Sequence, residues 1–329
     1  MTEERLGLHY HLVNGAHSMD ALVRNKCEAE VLALVRHVAK ELGVDVVLES
    51  SAFTEGGLRE VFKFLMDPKN SSSLVMGGMV LVLVQIVISI LALPSTDKEQ
   101  EALTKELTKL SIEEKKLQIE KLRREADEGK PSEEVLAEVV SSLNQDYKVL
   151  TRRSNFYSQL LPYKKVTAVG FGRIPTGEVI PKNERTTPRA DFERFLVREN
   201  KLPELVDEAA CIEIVAPVIT GGNMHWKGLY QGEPISFAMR DSDYKQAVSN
   251  RTVSFQHGDS IACLLHTERK LDPTGEVIVT GRYVSLVLEK RSSSGQSAET
   301  SQGRRKKFSD KLASAQSSLP FSPPESETN

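Results

Sequence analysis

No charged residue occurs between Lys69 and Asp97, and this stretch constrains the fold of the 329-residue chain more than any other feature. Its centre, Leu74 to Leu93, reads LVMGGMVLVLVQIVISILAL. Sixteen of these twenty residues are Ala, Val, Ile, Leu or Met, and the others are Gly77, Gly78, Gln85 and Ser89. A helix of this length, rising about 1.5 Å per residue, matches the roughly 30 Å hydrocarbon core of a bilayer. Thirteen of the residues are Leu, Ile or Val, each favouring insertion by about 0.3–0.6 kcal/mol. Ser71 to Ser73 and Pro94 bracket the run. It predicts one transmembrane segment over 73–95. The alternative is a helix buried in protein, and most core helices keep a polar face. In a span, Gly77 and Gly78 permit close helix approach, while Gln85 and Ser89 lie one turn apart and can bond between helices. These four are the expected membrane-oligomerisation residues. Each flank carries three lysines or arginines, so the positive-inside rule gives no orientation.

The expected fold class is α+β. Residues 1–69 read as a small βαβα unit. LGLHYHLV alternates like a strand, Ala21 to Leu42 has helical spacing closed by Gly43, VDVVLESSAF is a second strand, and LREVFKFL a short amphipathic helix. Asp97 to Lys130 is charge-dense, with Leu103, Leu107, Leu110 and Leu117 at partial heptad spacing, and with the amphipathic helix expected over 132–161 it predicts a self-associating helical stalk over 97–161. From 162 to 291 short strands separated by Gly, Pro and Asp turns predict an antiparallel β-rich barrel or sandwich. Asp241 is placed to cap a helix, and Asp272-Pro273-Thr274-Gly275 to turn a hairpin. The serine-rich 292–329 segment, with its basic cluster Arg304 to Lys307, predicts a disordered tail.

Three patterns carry candidate chemistry. His9 and His11 share one face of a predicted strand, with His17 and Asp20 in the loop that follows, a metal-ligand constellation. Its alternative is an exposed face whose polar positions happen to be histidine. Gly56 and Gly57 precede the predicted helix at Leu58, so their amides form a candidate anion site. Trp226, the only tryptophan, lies beside Lys227 among glycines. With Tyr230, Arg240 and Arg282 it makes a candidate ligand or partner surface; the alternative is a core tryptophan. Three cysteines without CxxC spacing exclude a zinc ribbon or thioredoxin motif. P-loop, dinucleotide-fold and nucleophile-elbow motifs are lacking. A net charge of −3 argues against charge-driven nucleic-acid binding. No pattern specifies a cofactor.

In arrangement alone, the predicted head, membrane helix, stalk and β-domain resemble bacterial membrane-anchored defence effectors. The resemblance implies a β-barrel that senses a signal and a membrane segment that acts on the bilayer. The sequence therefore leads to a single-pass membrane sensor or adaptor, without enzymatic activity, whose cytoplasmic β-domain binds a small molecule or protein. The expected partners are the lipid bilayer and further copies of the chain. The alternatives are a metal- or phosphate-dependent enzyme with its site in the N-terminal unit, and a structural membrane scaffold.

Overall fold

The fold is given by a computed structural model that describes residues 3–51, 58–66, 75–94, 109–129, 131–178, 180–218 and 224–317. The chain divides into two units: Met1–Pro203 with Leu271–Val277, and Glu204–Lys270 with Ile278–Asn329.

The first unit holds β1 (Glu3–Leu12), α1 (Ala21–Glu41), β2 (Val46–Ser51), β3 (Leu58–Met66) and α2 (Val75–Ala92). It continues with α3 (Lys109–Asp127), α4 (Glu133–Leu143), α5 (Tyr147–Leu160), β4 (Val166–Arg173) and β5 (Lys182–Pro188). The strands form one antiparallel sheet in the order β2-β3-β1-β4-β5. On its inner face Leu6, Leu8, Tyr10, Phe62, Phe64, Val169 and Phe171 are buried. Residues 58–66, expected as a helix, are a strand between β1 and β2. The spacing of its apolar residues fits either period, and two partner strands decide the outcome.

The apolar run is α2, and the expected transmembrane assignment is overturned. Among the described residues no helix is long and apolar enough to cross a membrane. Instead α2 packs against β1, β3, β4 and β5 of the sheet and against α1, α3 and α4. Val80, Leu83, Val84, Ile86, Val87, Ile90 and Leu91 have no exposed surface. Sheet and helices together cover the turns of α2, so an all-round apolar surface suits a central core helix as well as it suits lipid. Three of the four residues expected to join membrane helices, Gly78, Gln85 and Ser89, are at least partly buried within the first unit. Ser89 Oγ accepts from Arg185 Nη1 at 3.2 Å, a Cβ on Gly78 would lie 3.1 Å from the Ala126 carbonyl of α3, Gln85 is half-buried, and Gly77 lies in the first turn. The unpaired carbonyls at the helix C-terminus are met from within the unit. Arg153, fully buried, donates to Ile90 O at 3.2 Å and Leu93 O at 3.4 Å. Tyr157 Oη donates to Leu91 O at 2.5 Å and Thr187 Oγ1 to Ala92 O at 3.5 Å. With the span goes the single-pass membrane localisation.

Of the expected stalk, Leu103 and Leu107 lie outside the described residues, and α3 is placed within the first unit. Ile119, Leu122 and Ala126 of α3 are buried in the first unit's core, whereas Leu117 of the expected heptad seam is largely exposed. The helix therefore buries the face formed by Ile119, Leu122 and Ala126 and not the one that carries Leu117.

The second unit is built from β6 (Lys201–Ala216, which begins in the first unit), β7 (Trp226–Tyr230), β8 (Glu233–Met239) and α6 (Ser242–Ser249). It continues with β9 (Ser260–Leu271), β10 (Val277–Arg291), β11 (Ser297–Glu299) and α7 (Ser301–Ser317). The order β11-β10-β8-β7-β6-β9 closes through a β9–β10 pairing, so β6 to β10 form a five-stranded barrel. Strands β8 and β10 run parallel, and α6 lies between the third and fourth strands. The barrel is therefore mixed and not the purely antiparallel one that the sequence predicts. Ile212, Trp226, Phe237, Ile261, Cys263, Val284 and Val287 fill the interior.

Residues 297–317 do not form the expected disordered tail. Asp241 orders them. Its carboxylate accepts from Tyr244 N (3.0 Å), capping α6, from Val287 N (2.8 Å) and from Gln302 Nε2 (2.9 Å), which ties α7 to the barrel. Lys306 and Lys307 of the basic cluster pair with Glu208 and Glu299. Serine content measures weak intrinsic structure, and one buried carboxylate is enough to outweigh it here.

Candidate metal centre

Strand alternation sends Leu6, Leu8 and Tyr10 of β1 into the core and His9 and His11 to the opposite face of the sheet. The two rings lie 3.9 Å apart, tilted by 47°. His9 Nδ1 stands 3.2 Å, and His11 Nε2 2.9 Å, from the same oxygen, Oε1 of Glu184. Glu184 lies on β5, with β4 between it and the histidines.

Gly170 opens the way across. It pairs with His9 on one side and with Thr186 on the other, and a Cβ at this position would collide with the Glu184 carboxylate. Gly172, two residues on, has the same role beside Pro181, whose Cβ would be 2.5 Å from an added methyl. Glycine within a strand costs stability, and close approach of another group accounts for it here.

The three side chains are partly buried, with His9 13%, His11 35% and Glu184 18% exposed. The hydrogen bond from His9, then that from His11, holds the Glu184 carboxyl below its usual range against the opposing effect of burial. One ligand atom from each residue lies within 4.8 Å of the others. Two imidazoles and a carboxylate match an open zinc site with three protein ligands, and the two-histidine, one-carboxylate facial set of other transition metals. His17 and Asp20 lie elsewhere. His17 is exposed in its loop, and the Asp20 carboxylate caps α1, accepting from Leu22 N at 2.8 Å and Val23 N at 3.0 Å.

A second group of potential ligands, His37, Glu41 and Asp146, is arranged differently. Lys115 Nζ sits between its carboxylates, 2.7 Å from Glu41 and 3.2 Å from Asp146. Burial would raise the Asp146 carboxyl, but His37 and Lys115 hold it well below the usual range. Asp146 also caps α5 through Lys148 N and Val149 N. An ammonium at the centre makes this group a structural ion network.

The expected ligand surface of the second unit is dispersed. Trp226 is buried among Phe237, Tyr244 and Phe255. Lys227 is exposed, and Tyr230 Oη donates to Asp207 at 2.7 Å. Arg240 pairs with Glu268 and covers the Tyr283 ring at 3.5 Å, while Arg282 is half-buried on β10. Gly56 and Gly57 lie outside the described residues. The element that follows them begins as a strand at Leu58, so the helix N-terminus on which the anion site depended does not form there.

Glu184 escaped the sequence reading because it belongs to a strand 173 residues from His11. The available signal was the alternating pair Gly170 and Gly172 within a strand. Compared with known proteins, the chain matches no family model, no curated protein and no solved structure.

Proposed function

We propose that the first unit binds a divalent transition metal of the zinc class through His9, His11 and Glu184. The remaining coordination positions are left for water or an oxygen-donor ligand. The observation that supports this reading is the convergence of three ligand types from β1 and β5 across a glycine gap in β4. A face of chance histidines needs neither Gly170 nor a carboxylate reaching over a neighbouring strand. Arg59, the cross-strand partner of His9 on β3, adds a cation beside the site that favours an anionic further ligand.

The test is to strip the full-length chain with a chelator and titrate it with Co2+, then Zn2+, following visible absorption and metal content. One ion per chain is expected, with affinity reduced at least tenfold in His11→Ala and in Glu184→Gln. Uptake weakens on acidification because imidazole ligates only when neutral. Sub-stoichiometric uptake by the wild type, or variants that bind as it does, would overturn the reading.

A further inference from the structure

Away from the metal centre, the second unit contains a cavity of about 750 Å3 between β6, β7, the end of α6 and residues 251–257. That volume is in the range of sites for small organic ligands, about 300–1,000 Å3. Its walls are apolar, from Val215, Leu229 and Val248, and its base is Phe255. Phe255 stands edge-on to Trp226 with centroids 5.6 Å apart, so the cavity reaches the aromatic core of the barrel. Val215 is 61% exposed. It is therefore reachable by a ligand that enters the cavity.

The polar groups of the cavity set the ligand's charge. Arg251 and His257 are both exposed along the lining, and Glu213 is its one carboxylate. No carboxylate among the described residues pairs with Arg251. Its backbone has φ +60°, fixed by a bond from its N–H to Val248 O at 3.1 Å as α6 ends. Glycine holds that left-handed position at least cost. An arginine at that position places its guanidinium on the lining of an apolar cavity. We infer that the cavity binds a small amphipathic anion, with its hydrocarbon or aryl body against Phe255 and Leu229 and its carboxylate, sulfonate or phosphate head at Arg251 and His257.

Trp226 makes the test site-specific, because it is the only tryptophan in the chain and is in ring contact with the base of the cavity. The full-length protein is titrated with anionic 1-anilinonaphthalene-8-sulfonate and with neutral N-phenyl-1-naphthylamine, reading energy transfer from Trp226. Saturable transfer with one equivalent of the anionic probe is expected. Arg251→Gln should weaken that probe about tenfold and the neutral one less than about twofold. Val215→Glu should weaken both. Arg251 and Val215 are exposed, so both variants retain the fold, which unchanged circular dichroism verifies. Absence of saturable transfer, or an Arg251→Gln protein that still binds the anionic probe with wild-type affinity, would overturn the inference. Tighter binding of a cationic analogue would do the same.

Discussion

The two units bury apolar surface in opposite ways. The first encloses an entire helix, α2, between a sheet and other helices, and must then satisfy its C-terminal carbonyls in the interior with Arg153, Tyr157 and Thr187. The second closes a ladder on itself, so its backbone groups pair between strands and alternate side chains such as Ile235, Phe237 and Met239 point inward. The barrel needs fewer buried polar caps and leaves an apolar cavity beside its core. The helix-centred unit leaves its unusual feature on the outer sheet face, where Gly170 lets a carboxylate meet two imidazoles. A segment's apolar composition states that it leaves water; its period states which face does so.

Substitutions in α2 should have the largest effects. Leu83→Lys puts an uncompensated charge where no surface is exposed, and it is expected to unfold the first unit, with loss of helical circular dichroism and rapid proteolysis of residues 1–203. Trp226 reports on the barrel in the same sample. Emission that remains that of a buried indole keeps the units distinct, and exposure of the indole would merge them into one cooperative body. Arg153→Met removes a cap but keeps volume, so it should cost about 1–3 kcal/mol in denaturant unfolding, as for leaving buried acceptors without a donor. A loss under about 1 kcal/mol would mean that the α2 carbonyls do not need the guanidinium.

A pH dependence should belong to the first unit. Glu60 on β3 is buried on the inner face with Tyr10 and Cys27, near Glu28, and Arg24 Nε is 3.5 Å away. Burial, then the neighbouring Glu28, raises its carboxyl to about 9, only partly offset by Arg24. The folded state thus holds a proton that the unfolded chain releases near pH 4.5. Its contribution is complete below that pH and is lost as pH rises towards 9, by up to about 1.4 kcal/mol per pH unit. Glu60→Gln should flatten the slope of unfolding free energy across this window, and an unaltered slope would assign it to another group. The smallest effect on stability is expected of Gly170→Ala, whose methyl displaces the Glu184 carboxylate. It should lower Co2+ affinity at least tenfold, about 1.4 kcal/mol, while the barrel's probe binding stays unchanged.

Much of the local structure was legible in the residues. The alternation LGLHYHL separates Leu6, Leu8 and Tyr10 from His9 and His11, and the short carboxylate of Asp241 caps a helix. Asp272 accepts from Thr274 N and Glu276 N in the turn that the DPTG tetrad announces. These features rest on neighbours a few positions apart, whose geometry the chain itself imposes.

What surrounds a segment was decided elsewhere. Leu74 to Leu93 has the composition of a membrane span, and the free energy of leaving water is nearly the same whether lipid or protein receives it. Only the packing of β1, β4, α1 and α3 around α2 selects protein. β4, far along the chain, pairs with β1 and carries β5 on its other side, and those two pairings bring Glu184 to the histidines. The sequence by itself determined which faces are apolar and where turns and caps fall, because these are local preferences. Tertiary structure decided what each face meets, because long-range pairing depends on every other element that competes for the same surface.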